Sequence, residues 1–243
     1  MSRRQRADRL LVERGLFESR ARAQAAIAAG LVAADGKPVR KASDEIACDA
    51  VLQAVPEHPW VSRGGVKLAA ALERYPLPVE GHTCLDVGAS TGGFSEVLLH
   101  AGAKLVCAID VGTAQLHPAL RDDARILSLE QTDIRSFAGK RLPVRPDVVV
   151  IDVSFISLKY VLPVALELAA APTHLLALIK PQFEAPRTAI KKGIVRDAAV
   201  HEAVCAELAT FARTLQCTDI AVFPSAIEGG DGNKEFFLGA HRG

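Results

Sequence analysis

The stretch Cys84-Leu85-Asp86-Val87-Gly88-Ala89-Ser90-Thr91-Gly92-Gly93-Phe94 constrains the fold of this chain more than any other. It starts as an apolar strand, breaks at a glycine-rich turn and resumes as a helix. Glycines at such a turn let the backbone pass close to a ligand and leave amide N–H groups aimed at it. That arrangement belongs at the carboxyl end of the first strand of an open α/β sheet. The chain around it has the matching alternation. Apolar runs at 83–88, 105–110, 125–129, 147–152, 174–180, 219–223 and 235–239 read as strands. Helical patterns fill 66–75, 92–101, 161–171 and 198–214. Near-continuous apolar strands are those covered on both faces. The expectation is a doubly wound, mostly parallel, seven-stranded Rossmann-like sheet over residues 59–243.

Residues 1–58 differ in character and are expected to form a small α+β domain with a linker. Ala7, Leu10 and Leu11 fall on one helical period that Gly15 ends, and Ser19 opens a second helix that Gly30 closes. Asp35-Gly36 then marks a tight hairpin, and Pro56-Glu57-His58-Pro59 a stiff connector. The whole chain carries a net charge of only +1. Residues 1–22, however, hold seven arginines against Asp8, Glu13 and Glu18, a net of +4 that suits phosphate. Five scattered cysteines without a CxxC pair point to a reducing, cytoplasmic setting, and no histidine spacing suggests a metal. No secretory signal is expected at the N-terminus. The longest apolar stretch, 161–179, is interrupted by Pro163, Glu167, Pro172 and His174, so no membrane span is expected.

Acidic residues recur at strand ends. Asp110 closes the second strand, where a carboxylate accepts from ribose hydroxyls. Asp133 follows the third strand, placed for an adenine amino group, and Asp152 closes the fourth. The loop departs from G-x-G-x-x-G in spacing, which disfavours a dinucleotide. With Asp86 in front it resembles the acidic-x-Gly-x-Gly-x-Gly signature of S-adenosylmethionine (SAM) methyltransferases, Ser90 replacing the middle glycine. Asp86, Gly88, Ala89, Ser90, Thr91, Gly92, Gly93, Phe94, Asp110, Asp133 and Asp152 are the candidate cofactor residues.

The acceptor is approached by elimination. The fourth strand continues Asp152-Val153-Ser154-Phe155, without the Asn-Pro-Pro-aromatic run of adenine amino methylases. No cysteine stands there or at the next strand end for covalent attack on a pyrimidine. The fifth strand instead runs directly into Lys180. A lysine in that position serves as a base once its surroundings disfavour the charged ammonium, and a ribose hydroxyl needs such a base.

Residues 60–240 resemble the FtsJ-type (RrmJ-like) ribose 2′-O-methyltransferases. The likeness lies in Ser62-Arg63-Gly64-Gly65-Val66-Lys67-Leu68, the 85–94 segment and Ile179-Lys180-Pro181-Gln182-Phe183-Glu184. The family's Lys-Asp-Lys-Glu tetrad matches Lys67, Asp152, Lys180 and Glu235, with Glu228 a rival for the last. The resemblance implies Lys180 as base, Lys67 and Glu235 as groups that tune and orient it, and Asp152 as a positioner of substrate and SAM. Residues 6–55 resemble an S4 RNA-binding domain through Arg6-x-Asp8-x-x-Leu11-x-x-x-Gly15, Ser19-Arg20-x-x-Ala23 and Ile27-x-x-Gly30-x-Val32-x-x-Asp35-Gly36. Arg4, Arg6, Arg20, Arg22, Lys37 and Lys41 are then expected to read RNA shape and phosphate.

An S4 domain ahead of an FtsJ-like domain is similar to the TlyA family. The resemblance implies methylation of cytidine 2′-hydroxyls in ribosomal RNA, with ribosomal subunits as partners and neither metal nor membrane involved. Members also carry a haemolysin label. A membrane-active haemolysin-like protein and a non-catalytic ribosome-binding module are the alternatives. The absence of an amphipathic basic helix counts against the first, and an intact glycine loop and tetrad against the second. Nothing in the sequence sets the oligomeric state or the modified nucleotide.

Overall fold

The computed structural model describes residues 3–137 and 142–243, and the chain divides into two compact units, Met1–Pro59 and Trp60–Gly243. In the first, β1 (Arg4–Arg6) leads into α1 (Ala7–Glu13), and Ser19 caps α2 (Arg20–Ala28) by accepting from the Arg22 N–H at 3.3 Å. Next come β2 (Val32–Ala34), β3 (Lys37–Pro38), β4 (Glu45–Ala47) and β5 (Leu52–Ala54). The β2–β3 hairpin turns at Asp35-Gly36 with φ of 50° and 73°, the positive pair that a two-residue turn between right-twisted strands demands. Leu11, Phe17, Ala23, Ala26, Ile27, Val32 and Val39 form its core. The antiparallel pair β1–β4 is an element the sequence reading lacks. Arg4-Gln5-Arg6 has no apolar alternation by which a strand is recognised.

The second unit runs α3 (Arg63–Arg74), β6 (Thr83–Val87), α4 (Gly93–His100), β7 (Leu105–Ile109), α5 (Pro118–Arg121), β8 (Ile126–Leu129), β9 (Val148–Ile151), α6 (Leu158–Leu168), β10 (Thr173–Ile179), α7 (Pro181–Glu184), α8 (Ala198–Thr214), β11 (Cys217–Pro224) and β12 (Phe236–Arg242). The strands lie in the order β11-β12-β10-β9-β6-β7-β8. The sheet is parallel except that β12 runs antiparallel to both of its neighbours. This is the seven-stranded α/β sheet expected.

Strand alternation sorts the side chains into two layers. Leu85, Val87, Val149, Ile151, Leu175, Ala177 and Leu238 pack with α6 and α8. Cys84, Val148, Val150, Leu176, Leu178 and Phe237 pack with α3 and α4. All five residues of β6 are buried, Asp86 among them. Glycines at the starts of both helices bring α3 against α4. A Cβ at Gly93 would stand 2.1 Å from Ser62 Oγ and 2.8 Å from Gly65 N, and one at Gly65 would stand 2.5 Å from Trp60. The start of α3 therefore rests on the start of α4, and Lys67 is drawn to the sheet edge where β6 ends.

Candidate active site

That edge gathers the carboxyl ends of the parallel strands, and the reversed β12 begins there. After Val87 the loop carries φ of 85° at Gly88, 48° at Ser90 and 94° at Gly92. Gly88 has no alternative, because a Cβ there would lie 2.3 Å from the Asp152 carbonyl oxygen. A Cβ at Gly92 would lie 2.5 Å from Leu120. Ser90 holds a left-handed backbone that a glycine adopts without cost. Ser90 and Thr91 form the exposed tip, whereas Ala89 and Gly93 are buried. The Ser90 N–H donates to Asp110 Oδ2 at 2.8 Å and the Gly112 N–H to Asp110 Oδ1 at 2.7 Å. Asp110 thus braces the loop from the end of β7.

Three expected cofactor residues sit differently from the rest. Asp86 has no accessible surface, and its Oδ2 accepts from Ser95 Oγ at 2.6 Å in the first turn of α4. Burial, opposed by that hydrogen bond and reinforced by Asp152, pushes its carboxyl up to about 7. The Phe94 ring points into the core, 6.2 Å from Phe237. Asp133 lies beyond the end of β8, capping a 3-10 turn and pairing with Arg135 at 2.6 Å. The acid directly after β8 is Glu130, which the sequence reading passed over. Its carboxylate accepts from the N–H groups of Ala114 (2.6 Å), Gln115 (2.9 Å) and Leu116 (3.2 Å), and these bonds hold it below the usual carboxylate range. The same signal that picked out Asp110 and Asp152, an acid directly after an apolar strand, marks it.

The four candidate catalytic residues form two ion pairs. Lys67 Nζ lies 2.5 Å from Glu235 Oε2, with side-chain exposures of 9% and 3%. Lys180 Nζ lies 2.5 Å from Asp152 Oδ1 and donates to Ser154 Oγ at 3.0 Å. The register Ile179↔Phe236 between β10 and β12 sets Lys180 and Glu235 across from each other. Ala177↔Ile151 between β10 and β9 places Asp152 on the other side of Lys180. Gly229 leaves room for Glu235, since a Cβ there would stand 2.6 Å from Oε1. The rival Glu228 is exposed, and its carbonyl accepts from Arg63 Nη2 at 2.6 Å. Besides Glu130, one more residue at this edge was missed. Phe155 is 90% exposed at φ 65°, with its ring 5.0 Å from Phe183.

In the first unit the candidate arginines have an internal anchor. Asp8, wholly buried, accepts from Arg6 Nε and Nη2, each 3.1 Å away. It also accepts from Arg20 Nη2 at 2.7 Å and Gln24 Nε2 at 2.8 Å. The Arg6 guanidinium chiefly holds its carboxyl far below the usual range. The Arg6 and Arg20 side chains remain 37% and 48% exposed, so Asp8 aims their forks while leaving donors outward. Arg4 donates to the Glu45 carbonyl, Arg22 lies 3.7 Å from Glu18, and Lys37 and Lys41 are exposed.

Comparison with known proteins bears on both units. The FtsJ-like methyltransferase family model matches residues 60–242 and the S4 domain model residues 5–47. The 16S/23S rRNA (cytidine-2′-O)-methyltransferase TlyA of Mycobacterium tuberculosis is 42% identical over 98% of this chain and 90% of its own length. The chain belongs to the TlyA family. Hemolysin A of Brachyspira hyodysenteriae is 36% identical over 95% of this chain and 97% of its own. A solved structure from Streptococcus thermophilus, provisionally assigned as a hemolysin, superposes with a TM-score of 0.78 at 39% identity, over all of this chain and 90% of that one. This TlyA-family chain is therefore a SAM-dependent methyltransferase of FtsJ-like fold behind an S4 domain. Among its described residues no helix is long and apolar enough to cross a membrane, and no group of three or more His, Cys, Asp or Glu side chains is placed to hold a metal ion.

Proposed function

We propose that the protein transfers a methyl group from SAM to the 2′-hydroxyl of a cytidine in ribosomal RNA, with Lys180 as the base. The observation that carries this reading is the pairing of Lys180 with Asp152 and of Lys67 with Glu235 at the edge where the glycine loop ends. The chain's own residues fit SAM. The loop from Gly88 to Gly93 turns through three left-handed residues with its backbone held tight against the Asp152 carbonyl, as a cofactor-binding glycine turn does, and Asp110 stands braced beside it for ribose hydroxyls. When bound, SAM supplies an electrophilic methyl on a sulfonium.

Lys180, acting as the base, takes up the hydroxyl proton on Nζ, which leaves the ribose oxygen as nucleophile. Asp152 Oδ1, 2.5 Å away, stabilises the ammonium that forms. Ser154 Oγ fixes the direction of Nζ. Lys67 and Glu235 neutralise one another in a buried pair and form a rigid wall opposite Lys180 across the β10–β12 register. Asp86 acts one step back, fixing the start of α4 through Ser95. Phe155 turns an aromatic face to solvent beside Ser154, a platform on which an unstacked base can lie. The exposed forks of Arg6 and Arg20, with Arg4, Arg22, Lys37 and Lys41, meet folded RNA through its backbone.

Labelled SAM and ribosomal subunits from a strain lacking the enzyme test the reading. Alkali-resistant dinucleotides carrying label at cytidine are expected. A Lys180→Ala protein with normal transfer would remove Lys180 as base. Label on the base instead of the ribose would remove the hydroxyl acceptor.

A further inference from the structure

The segment between α7 and α8 takes no part in the site described so far, yet it is built tightly. Residues 187–196 carry Arg187, Lys191, Lys192 and Arg196 and no acidic residue. All four cations are exposed. The middle of the segment is a two-residue hairpin. Lys191 and Ile194 exchange both backbone hydrogen bonds at 3.0 Å, and Lys192 and Gly193 carry φ of 51° and 80°. This positive pair is the tight-hairpin geometry. A flexible basic loop would need none of it.

The hairpin is pinned by one side chain. Asn233 is 1% exposed. Its Oδ1 accepts from the Val195 N–H at 3.1 Å, and its Nδ2 donates to the Gly193 carbonyl at 3.0 Å. His201 Nε2 lies 3.0 Å from the Val195 carbonyl and secures the same strand to α8. On its own loop Asn233 accepts, through its carbonyl, from the Gly229 N–H at 2.8 Å. Two residues further on stands Glu235, paired with Lys67. A buried side-chain amide whose oxygen and nitrogen both find partners costs little to bury and fixes both loops to each other.

We infer that the 187–196 hairpin grips the phosphate backbone of the RNA next to the methylated nucleotide, and that Asn233 is a positioning residue that sets this grip relative to Glu235. The inference rests on RNA being the substrate, as proposed above. Four exposed lysines and arginines on one short segment suit a phosphate backbone, and the nearest acid in sequence, Asp197, is engaged in capping α8 by accepting from the Ala199 N–H at 2.9 Å. An anionic membrane surface is disfavoured by the tip itself. Its apolar members Ile190 and Ile194 are half-buried and Val195 is 2% exposed, so no apolar side chain is free to insert.

The test uses the full chain with the Lys191→Ala, Lys192→Ala and Arg196→Ala changes combined, all on exposed side chains. The KM for ribosomal subunits is expected to rise about tenfold at physiological salt, and the logarithmic salt slope of subunit binding to shrink by about 2 to 3. Raising the subunit concentration should overcome the loss, and the SAM dissociation constant should stay as in wild type. Asn233→Ala should instead lower kcat with SAM affinity retained, and Asn233→Asp, which keeps the acceptor but loses the Gly193 donor, should fall between. An unchanged subunit KM and salt slope in the triple variant would overturn the proposal. So would binding of the wild-type protein to phosphatidylglycerol vesicles that the triple variant loses while its rRNA methylation persists. Absence of rRNA methylation by wild type would instead count against the substrate reading, which separates the two failures.

Discussion

The Lys67–Glu235 pair makes the sharpest energetic test of how the site is held. Its atoms are 2.5 Å apart and its side chains 9% and 3% exposed, so solvent screens little of the interaction. Replacing one partner leaves the other charge buried without compensation, which costs about 3–5 kcal/mol. For a unit the size of residues 60–243 this corresponds to a fall in Tm of about 6–20 °C, at about 2–4 °C per kcal/mol. Lys67→Met and Glu235→Leu should each show that loss by thermal unfolding followed by circular dichroism. The double variant should recover to within about 1 kcal/mol of wild type, because no charge remains to be desolvated. Methyl transfer should be absent from all three proteins. Single variants whose losses simply add in the double would refute the claim that each charge is buried only on account of the other.

Other changes probe the loop, the acids and the arginine anchor. Gly88→Ala forces a Cβ to 2.3 Å from the Asp152 carbonyl and should abolish SAM binding by calorimetry, whereas Ser90→Gly relieves a left-handed φ and should retain it. Glu130→Gln weakens three backbone acceptor bonds and should raise the SAM dissociation constant about tenfold, a loss of about 1.4 kcal/mol. Asp86 titrates near 7 in the folded chain and near 3.9 unfolded, so between those values the folded state holds the extra proton. Its contribution to stability is therefore lost as pH rises from about 4 to about 7, and Asp86→Asn should flatten that part of a urea-denaturation profile and stabilise the protein at pH 8. Asp8→Ala releases Arg6 and Arg20 from their common anchor and should weaken rRNA binding in a filter assay.

Much of this was legible because it rests on short-range pattern. Strands buried on both faces announce themselves as apolar runs, and the turn at 88–93 announces itself by glycine. Lys180 was visible because a charged residue directly follows seven residues of strand. What escaped depends on partners distant in sequence. Asp86 reads as a cofactor residue by position, yet Ser95 on the next helix shows which way its carboxylate points. Phe94 stands in the loop motif but serves the core through Phe237. Glu130 stands directly after β8 where a strand-end acid is readable, but its gathering of three N–H groups from residues 114–116 depends on a loop that the local sequence does not show. The hairpin at 191–194 is hidden because its register depends on Asn233, which lies about forty residues later.

The reversal of β12 has a consequence for when the enzyme becomes an enzyme. Lys67 and Glu235 are 168 residues apart, and Glu235 reaches its place only if β12 slots between β10 and β11. Closing so long a loop comes late in folding, after the local elements have formed. Until that strand inserts, Lys67 lacks its counter-charge and Lys180 lacks the wall opposite it. A form in which β12 has frayed would keep the glycine loop and the cofactor cradle but have no working acceptor side. With Lys180 and its partners acting as proposed, methylation by this protein would report a completed fold, and partly folded chains would be chemically silent toward RNA.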